Sequence, residues 1–229
     1  MNDIKPIYES GWDEDANGKR WEDYETILCP DGYRIDMVNL VEEIERAKAA
    51  LTHLAPMFGG LIHKLYTIYT FKVSTMATDG SHLFINPQFA DKELDFTGKV
   101  FVLAHEVMHC LLNHLRRARV AGHNDAGLSN VAADAETNIT LVDIGLFKDS
   151  TIKNLKGIYD PKYKNWGYEK IYDDIKPDTG KSMDNSSESS KAKQNEGEQL
   201  GNNTKSYSDD YKAGWKQAIE DYKAGKLKL

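Results

Sequence analysis

The sequence predicts an α+β fold in which a small mixed sheet packs with several helices, two of which, over 97–119 and 129–144, bear polar residues one turn apart. Three observations carry this expectation. Apolar residues recur at helical spacing over residues 36–57 and again over 97–119. Between them, residues 66–76 are rich in Thr, Tyr, Ile, Phe and Val, which suit a strand. The turn dipeptide Asp79-Gly80 then sends the chain back through residues 82–86, the second strand of a hairpin.

Each element has its own warrant. Residues 1–34 are polar and expected to be mostly irregular, with eight acids against three bases in the first 25 positions. Over residues 36–57, Met37, Leu40, Val41, Ile44, Ala47, Leu51 and Leu54 share a helical face, and Asp36 is the expected N-cap. Pro56 and Gly59-Gly60 end that helix, and a short second one follows through Leu65. Pro87 breaks the returning strand, and a loop leads to the most apolar helix, residues 97–119. Arg116, Arg117 and Arg119 stand at its C-terminal end, where cations complement the helix dipole. After a loop containing Gly122 and Gly127, Ser129 is expected to cap a further helix through Ile144, closed by Gly145. One more short helix spans 168–175, so the folded domain is expected to occupy residues 35–177. Residues 178–210 hold seven acids, four bases and almost no large apolar side chain, the composition of a flexible linker. Residues 211–229 recover Trp215, Ile219 and Tyr222 at helical spacing and are expected to form a terminal docking helix.

Composition narrows the function classes. A formal net charge of −7 argues against nucleic acid as a partner. The longest apolar run, residues 100–104, is far too short to cross a bilayer, and MNDIKPIYES lacks the pattern of a secretory signal. With only Cys29 and Cys110, and Cys110 inside an apolar helical run, the chain is expected to be cytoplasmic, without a membrane partner or a disulfide.

The chemistry concentrates in Val102-Leu-Ala-His-Glu-Val-Met-His-Cys-Leu-Leu112. His105 and His109 are four apart, so a helix projects both from one face, where two imidazoles can hold one Zn²⁺. Glu106 is offset by about 100°, beside the metal and not on it, as a general base for a metal-activated water requires. Burying two histidines and a glutamate in so apolar a helix would be costly without a ligand to satisfy them. A catalytic zinc takes three protein ligands and keeps one position open. The pattern with Gly and His seven and ten residues after the first ligand is excluded, because Leu112 and Leu115 stand there. His114 lies about 140° around a continuous helix from His109 and reads as a surface or core histidine. Asp134, in Asn130-Val-Ala-Ala-Asp-Ala-Glu-Thr-Asn138, is the expected third ligand. Asn138, four residues on, is the expected support for a ligand histidine. Glu136 should point away into solvent, and His123, in a Gly-flanked loop, is the alternative third ligand. Residues 82–86 are the candidate sheet edge for pairing with a peptide substrate, with Phe84 and Asn86 as candidate substrate contacts. An ordinary edge strand blunted by proline is the alternative.

These residues resemble the metallopeptidase domain of bacteria and phages that often precedes a von Willebrand factor A-like region. The likeness runs from about residue 47 to residue 175. It rests on Ala55-Pro-Met-Phe-Gly59, Thr78-Asp-Gly80, Asn86-Pro87 and Leu103-Ala-His-Glu-Val-Met-His109. It continues in Asn113-His114, Arg116-Arg117, Asn130-Val-Ala-Ala-Asp134 with Asn138, Gly145 and Tyr168-Glu-Lys-Ile-Tyr172. The resemblance implies a zincin-like fold and a zinc-dependent peptidase acting on peptides or proteins. The A-like region of longer members is replaced here by the polar linker and terminal helix, from which a phage or prophage origin is expected. The competing expectation is a zinc-stabilised structural or adaptor protein of a phage particle, docking through that terminal helix without catalysis.

Overall fold

The structure, a computed structural model, describes residues 18–29 and 31–176. The expected linker over 178–210 and helix over 211–229 lie outside them.

The first described residues hold regular structure where irregular backbone is expected. A 3-10 turn, Trp21–Asp23, leads into β1 (Thr26–Leu28), which pairs antiparallel with β2 (Arg34–Asp36). Trp21, Tyr24, Ile27 and Cys29 are buried in the main core, and Trp21 meets Phe71 edge-on. The folded unit therefore starts before residue 35. Asp36 ends β2 and caps α1 (Met37–Leu54), its carboxylate accepting from the Asn39 amide at 3.0 Å as the sequence predicts. Pro56 opens α2 (Pro56–Ile62), which lies against α1.

A three-stranded sheet comes next: β3 (Tyr66–Tyr69), β4 (Met76–Thr78) and β5 (His82–Ile85), in the order β3-β5-β4. β4 and β5 form the antiparallel hairpin expected at Asp79-Gly80. Asp79 Oδ1 accepts from the Ser81 and His82 amides, and Gly80 takes φ +86°. The single strand expected over 66–76 is instead two, because β3 runs parallel to β5 and residues 70–75 must cross over between them. The central strand is thus β5, and residues 82–86 are not the sheet edge: β3 and β4 flank it on both sides.

Asn86 caps α3 (Pro87–Lys92), a helix where a loop was expected, and its Nδ2 donates to the Val73 carbonyl at 2.7 Å. Phe84 packs with Ile68 and Val73, on the opposite sheet face from Leu83 and Ile85, which enter the main core. Both candidate substrate contacts thus have structural partners, and the edge that suggested them lies elsewhere.

Asp95 caps α4 (Phe96–Leu111), whose apolar side packs on α1, α2 and β4. Lys99 ties it to α1, its buried ammonium bonding Glu43 at 2.8 Å and the Leu94 carbonyl at 3.0 Å. The helix expected over 97–119 is broken at Asn113, which adopts φ +57°, and the chain restarts as α5 (His114–Ala121). Asp125, not Ser129, caps α6 (Ala126–Asp143), so Gly127 lies within the helix. Then come α7 (Asp149–Asn154), a 3-10 turn at Pro161–Tyr163 and α8 (Tyr168–Ile175), the last where expected. A second core joins Ala132, Ala135 and Ile139 of α6 to Tyr168, Ile171 and Tyr172 of α8. Among the described residues no helix is long and apolar enough to cross a membrane, and Cys29 and Cys110 are not joined in a disulfide.

Candidate metal centre

Helices α4 and α6 pack so that His105, His109 and Asp134 meet. His105 Nε2 and His109 Nε2 are 2.8 Å apart. Asp134 Oδ1 lies 3.3 Å from the first and 3.2 Å from the second. Among the described residues no other group of His, Cys, Asp or Glu brings three donor atoms so close. Their side chains keep 14%, 14% and 26% of their surface exposed, so the cluster opens to solvent on one side.

The hydrogen-bond pattern fixes the His105 tautomer. The Ile158 carbonyl can only accept, so the Asn138 amide turns Nδ2 towards it, at 2.8 Å. Asn138 Oδ1 then faces His105 Nδ1 at 2.9 Å, which must carry the hydrogen, leaving Nε2 free as a donor to a cation. Asn138 therefore bridges His105 of α4 and the Ile158 carbonyl.

The donor set fits a cation. Four ligands at about 2 Å in tetrahedral array stand roughly 3.3 Å from one another. The two imidazole-to-carboxylate distances meet that spacing, and the 2.8 Å gap between the imidazoles falls short by about half an ångström.

Electrostatics point the same way. Burial would push Asp134 up, yet the two imidazoles hold it far below the ordinary carboxylate range. Burial also opposes a cation at His105, but Asp134 and Glu106 outweigh it and its pKa stands above the usual value. Burial and the neighbouring His105 push His109 down to about 4. The two rings together thus carry at most one positive charge, and a bound metal would displace the extra proton. Glu106 stays out of the cluster and is buried, and that burial lifts its pKa to about 7.

The break at Asn113 redirects the next turn of chain towards the cluster. His114, buried at 4% exposure, turns back so that its Nδ1 lies 2.9 Å from His109 Nδ1. Its other nitrogen meets Glu136 Oε2 at 2.9 Å. Neither residue is the bystander that a straight helix implied: Glu136 is not solvated but accepts from His114, Arg117 and the Tyr168 amide. Burial keeps His114 below the ordinary imidazole value despite Glu136. The signal that could have found this arrangement is Asn113 itself, since asparagine is the commonest non-glycine residue in left-handed helix stops. His123, the alternative candidate, lies outside the cluster: it stacks on Tyr172 at 3.6 Å and bonds the Tyr168 hydroxyl at 3.0 Å. Cys110, beside His109 in sequence, turns to the sheet, its Sγ 3.5 Å from Thr78 Oγ1, and burial raises its thiol to about 12.

Fold and site together define an α+β domain with a His-His-Asp donor set at a helix–helix seam. The chain belongs to the family described as "Putative metallopeptidase domain", whose model matches residues 40–227. No curated protein and no solved structure matches it.

Proposed function

We propose that this protein is a zincin-like, zinc-dependent peptidase of the His-Glu-x-x-His type that hydrolyses peptide bonds with an activated water. The convergence of His105 Nε2, His109 Nε2 and Asp134 Oδ1 within 3.3 Å carries the reading. The three donors found among the described residues are the number a catalytic zinc uses, whereas a structural zinc is closed by four. That count favours hydrolysis over a purely structural role in a phage particle.

When bound, zinc supplies Lewis acidity that lowers the pKa of water towards about 7 and polarises a carbonyl. The two imidazoles and the Asp134 carboxylate hold and orient it. Glu106, one residue after His105 on α4, takes the proton from the attacking water. A carboxyl group poised near neutrality can also return that proton to the leaving amine nitrogen.

The substrate backbone has a place to pair. The Asn86 amide donates to the Thr75 carbonyl, so Thr75 and Ala77 turn their backbone groups towards β5. Met76 and Thr78 turn theirs to the open side of β4, which packs on α4. An extended peptide added there would run alongside the metal helix.

The test is metal analysis and peptide cleavage on the parent and Glu106→Gln. The parent is expected to purify with one zinc and to cleave unfolded polypeptide. Glu106→Gln is expected to keep the zinc and lose cleavage by at least about 100-fold. Parental cleavage by that variant would remove Glu106 as the base.

A further inference from the structure

Building on the metal site proposed above, we infer that His114 and Glu136 are positioning residues for His109, holding its ring in the form that offers a bare Nε2 to a metal.

The derivation starts at Glu136. Its Oε2 lies 2.9 Å from each of three nitrogens: Arg117 Nη1, the Tyr168 amide and His114 Nε2. A guanidinium and a backbone amide can only donate, so this oxygen accepts, and the hydrogen at His114 Nε2 belongs to the ring. The carboxylate oxygen has no hydrogen to give, so a ring that carries a single hydrogen completes this bond by placing it on Nε2. His114 Nδ1 is then bare. It faces His109 Nδ1 at 2.9 Å, and the hydrogen between them has to come from His109. His109 is thereby left with a bare Nε2, which points at His105 Nε2 and Asp134 Oδ1.

The two candidate ligand rings are oriented by different devices. A side-chain amide sets His105, and an imidazole backed by a carboxylate sets His109. The second device draws on three helices. His114 and Arg117 come from α5, Glu136 from α6, and the Tyr168 amide opens α8. Arg117 is itself fixed by Glu169 at 2.9 and 2.6 Å. Gly167 leaves room for this junction, since a Cβ there would stand 3.2 Å from Arg117 Nη2.

Zinc affinity of the full chain, measured by competition with a chromogenic chelator, tests the relay. His114→Phe, which keeps a ring and removes both hydrogen bonds, is expected to weaken zinc binding roughly 10- to 100-fold. His114→Asn, whose Oδ1 can still take the His109 hydrogen, is expected to retain more. A folded His114→Phe with parental affinity overturns the relay while the metal site stands; a parent that binds no zinc overturns both. If His114→Phe does not fold, long-range ¹H–¹⁵N correlation spectra of the metal-free parent decide. A hydrogen on His109 Nδ1 is expected, and one on Nε2 overturns the inference.

Discussion

Asn138 is 2% exposed and uses both ends of its amide, one on the Ile158 carbonyl and one on His105. Replacing it with leucine keeps much of the volume and strands two buried partners, the carbonyl and the His105 Nδ1 hydrogen. Each stranded group costs about 1–3 kcal/mol. Freed from its acceptor, the His105 ring can also carry its hydrogen on Nε2, where it blocks a metal. Asn138→Leu is therefore expected to lose stability in urea unfolding and, separately, roughly 10- to 100-fold in zinc affinity by chelator competition. Parental affinity in a destabilised variant would leave Asn138 a structural role only. At this scale the sequence is most informative inside single helices. His105 with His109, and Asp134 with Asn138, are pairs four apart, and helix geometry alone puts each pair on one face. His114 escapes such reasoning because its position depends on one φ angle, that of Asn113. Glu136 escapes with it, since its partners come from α5 and α8.

The elements themselves show where pattern reading stops. Residues 66–76 and 97–119 each have the composition of one continuous element, and each is broken by a local backbone event. Propensity summed over a window does not register a crossover or a single left-handed residue. The parallel pairing of β3 with β5 is a long-range choice, since it joins residues on either side of β4. Helix caps are more legible where a carboxylate precedes an apolar run, as at Asp36, and less so where Asp125 and Ser129 compete within four residues. Packing between α1 and α2 rests on a glycine chosen for space and not for turn geometry. A Cβ on Gly59 would stand 2.5 Å from Thr52 Oγ1 and Cγ2 and 2.6 Å from its Cβ. Thr52 cannot swing clear cheaply, because Oγ1 is bonded to the Lys48 carbonyl at 2.8 Å. Gly59→Ala is therefore expected to destabilise by about 1–3 kcal/mol in urea unfolding, even though alanine is the better helix former. A neutral or stabilising outcome would mean that α2 can shift away from α1 at little cost.

Across the whole molecule, the segment over 18–34 is the least legible in the sequence, because three-residue strands are too short to show alternation. Its place in the core comes from Trp21, Tyr24 and Ile27 finding α1 and Phe71, contacts that no local pattern announces. At the far end of the domain an ion pair adds to the second apolar core. Arg117 of α5 grips Glu169 of α8 through two hydrogen bonds, and these hold the Glu169 carboxyl down at about 2, against 4.5 when unperturbed. The folded value lies below the unfolded one, so the stability from this pair is fully present above about 4.5. It is lost as pH falls from there towards about 2. The Glu169 side chain is 47% exposed, so solvent screens the pair and its worth at neutral pH is modest, at most about 1 kcal/mol. Glu169→Gln is accordingly expected to unfold at a lower urea concentration than the parent at pH 7. The gap between the two midpoints should narrow steadily between pH 5 and pH 3, as the carboxylate of the unfolded parent takes up its proton, and salt should narrow it at pH 7. A gap that stays constant over that range would trace the lost stability to packing at the start of α8, with the charge of Glu169 playing no part.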